Sequence, residues 1–175
     1  MKLCEAYQNQ YGAQFISAIP TNLYGPGDNY SLLEGHVVPA LIRRLHDAKQ
    51  NDVSELFLWG SGAPTRDFMH VEDAVDAFVH LMKYYSAENP VNVATGEEVT
   101  INQLAYTISD IVGFRGKIGH DLSKPDGMLR RLPDIGSLFA TGWRPRITLR
   151  AGLQHTYEWF LDAIGRGEAR LGTKM

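Results

Sequence analysis

The 175-residue sequence has a single cysteine, no long apolar run and no large excess of charge of either sign. One cysteine excludes a disulfide framework and a zinc site built from several cysteines, and it is typical of a reducing compartment. No apolar segment approaches the ~20 residues that a membrane-spanning helix needs. Lys and Arg number 17 against 20 Asp and Glu, and no basic stretch is present, so nucleic acid is not the expected partner.

The N-terminus also lacks the basic and apolar regions of a secretory signal, so we expect a cytoplasmic protein without a membrane anchor. A hydrophobic share of 44% and a charged share of 21% are those of a globular chain that can bury a core. Residues 1–7 show no capping residue or turn, as if the sequence started inside a helix. This start suggests the hypothesis that the chain is part of a longer protein.

Short apolar segments alternate with amphipathic ones along the chain, and this alternation predicts an α/β fold. Thr100 and Gln103 form the signature of a capping box, and Gly12 and Gly113 stand where helices are expected to end. Strands are expected at 15–19, 56–59, 91–94 and 117–120, and a long loop at 21–35. Helices are expected at 3–11, 36–49, 71–85 and 100–112, with a last one from residue 148.

Several familiar catalytic and binding signatures are ruled out by their context. The glycines of segment 113–119 resemble a dinucleotide-binding loop, but they follow a predicted helix and precede a strand, which is the wrong order for that loop. The six histidines show no metal-ligand spacing, and no Gly-x-Ser-x-Gly nucleophile motif occurs. We therefore expect neither a metal site nor a serine-hydrolase centre.

Residues able to bind a nucleotide diphosphate are spread over several loops. Segment 20–26 follows a predicted strand, at the sheet edge where α/β proteins bind ligands. An aromatic plane can stack on a base, and fixed cations can pair with phosphates. Each candidate alone could equally be a core aromatic, a surface charge or a capping histidine. The candidates are His36, Arg44, Trp59, Arg66 and Lys124.

Seven segments together resemble the GDP-L-fucose synthase family of the extended short-chain dehydrogenase/reductase superfamily. The similarity runs from Lys2 to about Ile164, with departures at Met128, Leu129 and Pro133. Segments 36–44 and 123–127 resemble the fucose synthase branch, whereas the Tyr-Gly-Pro and Arg-Asp-Phe motifs are shared across nucleotide-sugar epimerases and dehydratases. The segments are 2–7 (KLCEAY), 20–26 (PTNLYGP), 36–44 (HVVPALIRR), 58–62 (LWGSG), 66–73 (RDFMHVED), 91–96 (VNVATG) and 123–127 (SKPDG).

The resemblance implies a domain organisation. The chain would be the C-terminal part of such an enzyme, with the last strands and helices of a Rossmann sheet and a small substrate-binding α/β domain. Residues 1–35 would be the remainder of the NAD(P)-binding domain, and residues 36–164 mainly the substrate-binding domain. A Rossmann strand and helix would return near residues 70–95, and residues 165–175 would form a flexible tail.

The resemblance also implies a reaction and its residues. GDP-4-keto-6-deoxy-D-mannose would be epimerised at C3 and C5, and its 4-keto group reduced by NADPH to give GDP-L-fucose. His36 would contact the cofactor and act as general acid, a role suited to an imidazole because it exchanges protons near neutrality. The other cofactor-binding residues would be Pro20, Thr21, Asn22 and Leu23. The residues holding the GDP-sugar would be Arg44, Trp59, Arg66 and Lys124.

Other parts of the family's machinery do not occur in these 175 residues. No Tyr-x-x-x-Lys pair and no glycine-rich cofactor loop in the required context is present. We therefore expect the chain alone to be inactive, and the homodimer that the resemblance implies is not expected of this chain by itself. Two alternatives stay open: a non-catalytic module that binds nucleotide sugars, and another epimerase or dehydratase acting on a UDP- or dTDP-sugar.

Overall fold

The computed structural model describes residues 1–172, which alternate between strands and helices. The strands are β1 (Ala18–Pro20), β2 (Asn22–Tyr24), β3 (Glu55–Trp59), β4 (Thr65–Arg66), β5 (Phe68–His70), β6 (Val91–Val93), β7 (Val99–Thr100), β8 (Lys117–Asp121) and β9 (Arg130–Arg131). The helices are α1 (Lys2–Tyr11), α2 (Val37–Gln50), α3 (Val71–Tyr84), α4 (Ile101–Val112), α5 (Gly136–Ala140) and α6 (Leu149–Arg166). The predicted α/β class is confirmed.

Most strand pairing is parallel and joins distant parts of the sequence. β1 pairs with β6, β2 with β5, and β3 with β8, each in parallel. β4 lies between antiparallel β7 and parallel β9. Parallel neighbours need a long crossover, which the intervening helices and loops provide.

Two hydrophobic cores support these strands. The first surrounds α2, α4, α6 and β3, with Leu45, Leu104 and Phe160 fully buried. The second includes Leu81 of α3 and Val91 of β6, both fully buried. Two cores fit a chain with two structural regions, although the expected domain bounds at residues 35 and 36 stay a prediction.

Helix ends follow the local signals in the sequence. Thr100 and Gln103 make both hydrogen bonds of the capping box at the start of α4. Gly113 ends α4 in the left-handed region at φ 77°, where a side chain would be strained. The glycine pattern at 113–119 is therefore a helix end and a turn leading into β8, as its context predicts.

The segment around residues 15–24 differs from its prediction. The first strand is β1 at Ala18–Pro20 rather than 15–19, and the predicted loop contains β2. β2 is extended because all three of its residues are in register with β5, from Asn22 opposite Phe68 to Tyr24 opposite His70. No property of a three-residue segment indicates such a distant partner.

The apolar residues that predict α1 and α3 are mostly exposed, although Phe78 packs against the second core. They are Leu3, Tyr7 and Tyr11 in α1, and Val75, Phe78, Val79 and Met82 in α3. Leu3 is 70% exposed and Met82 is 78% exposed, while α1 contains no buried residue. α3 instead buries Ala74, Ala77 and Leu81 among its residues.

Within residues 1–172, no helix combines the length and apolar character that crossing a bilayer requires.

The expected tail begins at residue 165, and its flexibility stays a prediction. α6 continues to Arg166 and ends at Gly167 in the left-handed region. The Tyr30 amide then donates to the Arg170 carbonyl over 2.8 Å, and Ala169 packs against the first core. This contact ties residues 169 and 170 to the long loop. Residues 173–175 of the expected tail lie outside the described residues.

Two histidines lie inside the cores rather than on the surface. His46 Nδ1 lies 3.1 Å from the Tyr157 hydroxyl, and His70 Nδ1 accepts a hydrogen bond from the Glu72 amide at the start of α3. Burial lowers the pKa of both imidazoles, because the charged form loses its hydration.

We expect the free energy of unfolding to fall as the pH is lowered from 7.5 to 5.5. The unfolded histidines take up protons at about pH 6.5, whereas the folded ones do so only at lower pH. The stabilisation is therefore present above that pH and is lost as the pH falls toward the folded pKa values. Urea unfolding of the wild type and of His46→Asn, followed by circular dichroism at several pH values, measures this.

The His46→Asn variant is expected to show a shallower pH dependence than the wild type. Ile42→Val is the matched control, because it perturbs the same helix and core without removing a titrating group. A wild-type stability that stays level between pH 7.5 and 5.5 would contradict the assignment of these histidines as buried and neutral.

Candidate functional site

The candidate cofactor residues line two adjoining cavities. Thr21, Asn22, Leu23 and His36 surround one of about 460 Å³, whose remaining walls are mostly apolar. Pro20 lines a second cavity of about 330 Å³, which shares Thr21 and Asn22 with the first. Both volumes lie in the range of small-molecule sites, which is about 300–1,000 Å³. The structure therefore brings the five residues together, and their binding roles stay a prediction.

His36 occupies the position just before the first residue of α2. Its side chain makes no capping hydrogen bond, and the residue is exposed on the cavity wall. His70 stands at the same position of α3 and does cap its helix. The capping role left open for His36 is therefore excluded, and its imidazole is available to a ligand.

Asp67 holds Thr21 and Asn22 of the cavity wall in place through hydrogen bonds. Its backbone carbonyl accepts hydrogen bonds from the Thr21 hydroxyl at 3.0 Å and from the side-chain amide nitrogen (Nδ2) of Asn22 at 2.8 Å. Its fully buried carboxylate accepts three more, from the Thr95 amide at 3.1 Å, the Thr95 hydroxyl at 2.9 Å and the Gly96 amide at 2.7 Å. One residue thus fixes both the cavity wall and the loop after β6.

Arg44 lies on α2 about 12 Å along the helix axis from His36. Its guanidinium donates to the Phe57 carbonyl in the middle of β3, which holds the side chain against that strand. Burial lowers the pKa of Arg44, but an arginine remains charged at neutral pH. Arg44 is thus a half-buried, fixed cation and not a freely solvated surface charge.

Trp59 and Lys124 form one unit at the end of β3. Trp59 is 69% exposed, which excludes the core role left open for it, and Lys124 Nζ lies 5.9 Å from the centre of its ring. Asp126 fixes the loop by accepting from the Ser61 amide at 2.8 Å and its hydroxyl at 2.7 Å. These hydrogen bonds hold the pKa of Asp126 below its usual value.

Gly60 is required for this close approach of the two loops. Its φ of 73° lies in the left-handed region, and a Cβ there would lie 2.3 Å from Asp126 Oδ1. A larger residue would therefore push the loop that carries Lys124 away from Trp59.

Arg66 is tied to the same loop. Its guanidinium donates to the Met128 carbonyl at 2.7 Å and to the Thr65 carbonyl at 2.7 Å. The departures at Met128 and Leu129 do not disturb this segment, because both side chains are 67% exposed and the contacts use backbone carbonyls. Arg66, Trp59 and Lys124 are thus joined through one loop.

The arrangement combines an exposed indole with cations that backbone contacts hold in place. Such a surface can stack a planar base and pair with phosphates. Within residues 1–172, no group of three or more His, Cys, Asp or Glu side chains is placed to hold a metal ion. The exposed indole and the fixed cations favour an organic anion with an aromatic part as the ligand.

Sequence reasoning missed three residues that shape the site. Asp67 belongs to a recognised motif, and an acid directly before the buried run of β5 is the signal that could have identified it. Asn92 and Arg131 line the second cavity beside Pro20. They come from segments far apart in the sequence, so spacing gives no sign of their meeting.

Replacing Asp67 by Asn is expected to lower the free energy of unfolding by about 2–4 kcal/mol, because hydrogen bonds to a buried charged group are lost. An amide keeps only one acceptor oxygen and turns its NH₂ toward the donors of Thr95 and Gly96. Urea unfolding at pH 7.5 measures the loss. Asp126→Asn is the matched control, since that carboxylate accepts similar bonds at an exposed position and should matter less. Equal losses for the two variants would contradict the anchoring role of Asp67.

Two GDP-L-fucose synthases are similar to this chain over most of its length. GDP-L-fucose synthase 1 of Arabidopsis thaliana is 49% identical over 164 residues, covering 94% of this chain and 51% of that protein. The GDP-L-fucose synthase of Sinorhizobium fredii is 51% identical, covering 94% and 52%. The chain therefore spans about half the length of these relatives.

A solved structure and a family model agree with these relatives. The crystal structure of a GDP-L-fucose synthetase from Naegleria fowleri bound to NADP superposes with a TM-score of 0.88 at 31% identity, covering 97% of this chain and 54% of that one. The model of the NAD dependent epimerase/dehydratase family matches residues 1–94, more than half of the chain. The α/β chain described above thus belongs to the NAD dependent epimerase/dehydratase family.

Proposed function

We propose that this chain provides the sugar-nucleotide-binding part of a GDP-L-fucose synthase. The reaction converts GDP-4-keto-6-deoxy-D-mannose to GDP-L-fucose by epimerisation at C3 and C5 and NADPH-dependent reduction at C4. The observation that carries the proposal is the joining of Trp59, Arg66 and Lys124 through a single loop. The identity of 49–51% to the two GDP-L-fucose synthases compared above supports it.

In this proposal Trp59 and three cations, Arg44, Arg66 and Lys124, hold the GDP portion of the substrate. Together these four residues are called the cation cluster. Trp59 stacks on an aromatic ring, while Arg44, Arg66 and Lys124 pair with the diphosphate. Backbone carbonyls hold both Arg44 and Arg66, so these guanidinium groups lose little side-chain entropy when an anion binds. The chain thus supplies a partly preformed site.

His36 serves as the general acid in the proposed epimerisations. Its exposed imidazole lines the 460 Å³ cavity and makes no capping bond, so it can deliver a proton to a sugar carbon held there. Arg44 lies about two turns away on the same helix. α2 can therefore present the acid and a cation for the diphosphate at different points of one extended substrate.

The residues present fit one side of a nicotinamide cofactor. Thr21 and Asn22 are fixed through the Asp67 carbonyl, and Leu23, Val38 and Phe68 give the cavity apolar walls for a planar ring. In the proposal, Pro20–Leu23 and His36 contact NADP(H), which supplies the hydride for the reduction at C4. The NADP bound to the Naegleria fowleri protein supports this choice of cofactor.

The 175 residues do not contain a Tyr-x-x-x-Lys pair or a dinucleotide-binding glycine loop. The proposal is therefore that the binding groups and the general acid of the epimerisations are present here, whereas the base that removes the C3 and C5 protons and the groups for hydride transfer are not. The free thiol of Cys4, the single cysteine, fits a reducing compartment, and we place the activity in the cytoplasm.

We expect the chain to bind GDP, and Trp59→Ala to weaken that binding by roughly tenfold through loss of stacking. Isothermal titration calorimetry measures both affinities. Tyr84→Ala is the matched control, because Tyr84 is also an exposed aromatic, 68% accessible, but lies on α3 outside the cluster.

Competition by UDP and dTDP tests the nucleotide specificity in the same titration. Preference for GDP supports the fucose synthase assignment. Tighter binding of UDP or dTDP would assign the chain to a different sugar nucleotide, and no binding of any nucleoside diphosphate would contradict the proposed function.

The chain alone is not expected to oxidise NADPH in the presence of GDP-4-keto-6-deoxy-D-mannose, because no Tyr-x-x-x-Lys pair supports the hydride transfer. Absorbance at the NADPH band measures this, with the full-length Arabidopsis thaliana relative as positive control. Sustained oxidation that depends on the keto sugar would show that this chain carries another group for the reduction.

A further inference from the structure

Arg66 of the cation cluster lies beside a second arginine, Arg131, on the neighbouring strand. Parallel pairing of β4 and β9 places Arg66 directly opposite Arg131. Paired residues of neighbouring strands project on the same face, and such strands lie about 4.8 Å apart. Like charges in this position repel each other, so binding of an anion between them is favoured.

The adjacent Arg130 differs from this pair, because an acidic side chain neutralises its charge. Arg130 pairs through two contacts with Glu98, at 2.8 and 3.2 Å. Among residues 1–172, by contrast, neither Arg66 nor Arg131 forms a salt bridge with a carboxylate. Within the described structure, no carboxylate therefore neutralises the positive charges of Arg66 and Arg131.

Arg131 also faces a cavity. It is exposed and lines the 330 Å³ space together with Pro20, Thr21, Asn22 and Asn92. Arg66 donates to the carbonyl of Met128, which belongs to the loop that carries Lys124. The pair thus lies between the candidate cofactor segment and the loop that carries Lys124.

We propose that Arg66 and Arg131 together bind a phosphate group of a nucleotide, with Arg131 as a further specificity-determining residue of the site. This rests on the proposed function, because GDP-sugars and NADP both contain a diphosphate. Two guanidinium groups on one face can each donate paired hydrogen bonds to phosphate oxygens, and the anion removes their mutual repulsion.

The test is calorimetric titration of the 175-residue chain with GDP and, separately, with NADP. Arg131→Gln is expected to weaken binding of at least one of them by about tenfold or more, and Arg131→Lys by less, since an ammonium keeps the charge but not the fork. Arg130→Gln is the matched control, an adjacent exposed arginine whose partner is Glu98, and its affinity should stay within about twofold of the wild type.

The outcomes separate the two proposals. A loss confined to GDP assigns the pair to the sugar nucleotide. A loss confined to NADP assigns it to the cofactor and removes Arg66 from the proposed GDP site. Unchanged affinity of Arg131→Gln for every nucleotide that the wild type binds overturns this inference alone. If the wild type binds neither nucleotide, the proposed function and this inference both fail. Thermal unfolding of Arg131→Gln shows whether a lost affinity reflects lost structure.

Discussion

The site depends on the buried carboxylate of Asp67. A charged group without contact with water is stable only when hydrogen bonds replace its hydration, and Thr95 and Gly96 supply three. The same residue holds Thr21 and Asn22 through its carbonyl. Because Asp67 stands between β4 and β5, the cavity wall, the loop after β6 and the strand bearing Arg66 cannot shift independently.

The cations of the site differ from other arginines in how they are held. Arg44 and Arg66 donate to backbone carbonyls, which orient a guanidinium without cancelling its charge. Arg43, Arg130 and Arg150 instead pair with carboxylates. Among residues 1–172, no acidic side chain forms a salt bridge with Arg44 or Arg66, so their positive charge is available to an anion that reaches the candidate site. The paired arginines attract such an anion less.

Local signals in the sequence were sufficient for most helices but not for the short strands. The capping box at Thr100 and the glycine at 113 are decided by neighbours a few residues away, so α4 could be bounded from the sequence. β2 was missed because its extended shape comes from pairing with β5. The apolar stripes of α1 and α3 predicted helices correctly without revealing which face lies inside.

The candidate site could be predicted only in part, for the same physical reason. His36, Trp59 and Lys124 were candidates from residue type and position, but spacing alone left an ordinary structural role open for each, and only the resemblance gave them specific roles. Arg131 and Asn92 were not identified, because pairing between strands that are distant in the sequence brings them to the site. A site built from several loops is specified by tertiary contacts that no local window contains.

The long reach of the strand pairs also sets an order for assembly during synthesis. β1 begins at residue 18 but finds its partner only at residue 91, and β3 at residue 55 waits for residue 117. A ribosome that makes about 5–20 residues per second leaves such strands unpaired for several seconds. Helices can form locally in that interval, so the sheets, and with them the cavities, are the last parts of the nascent chain to take shape.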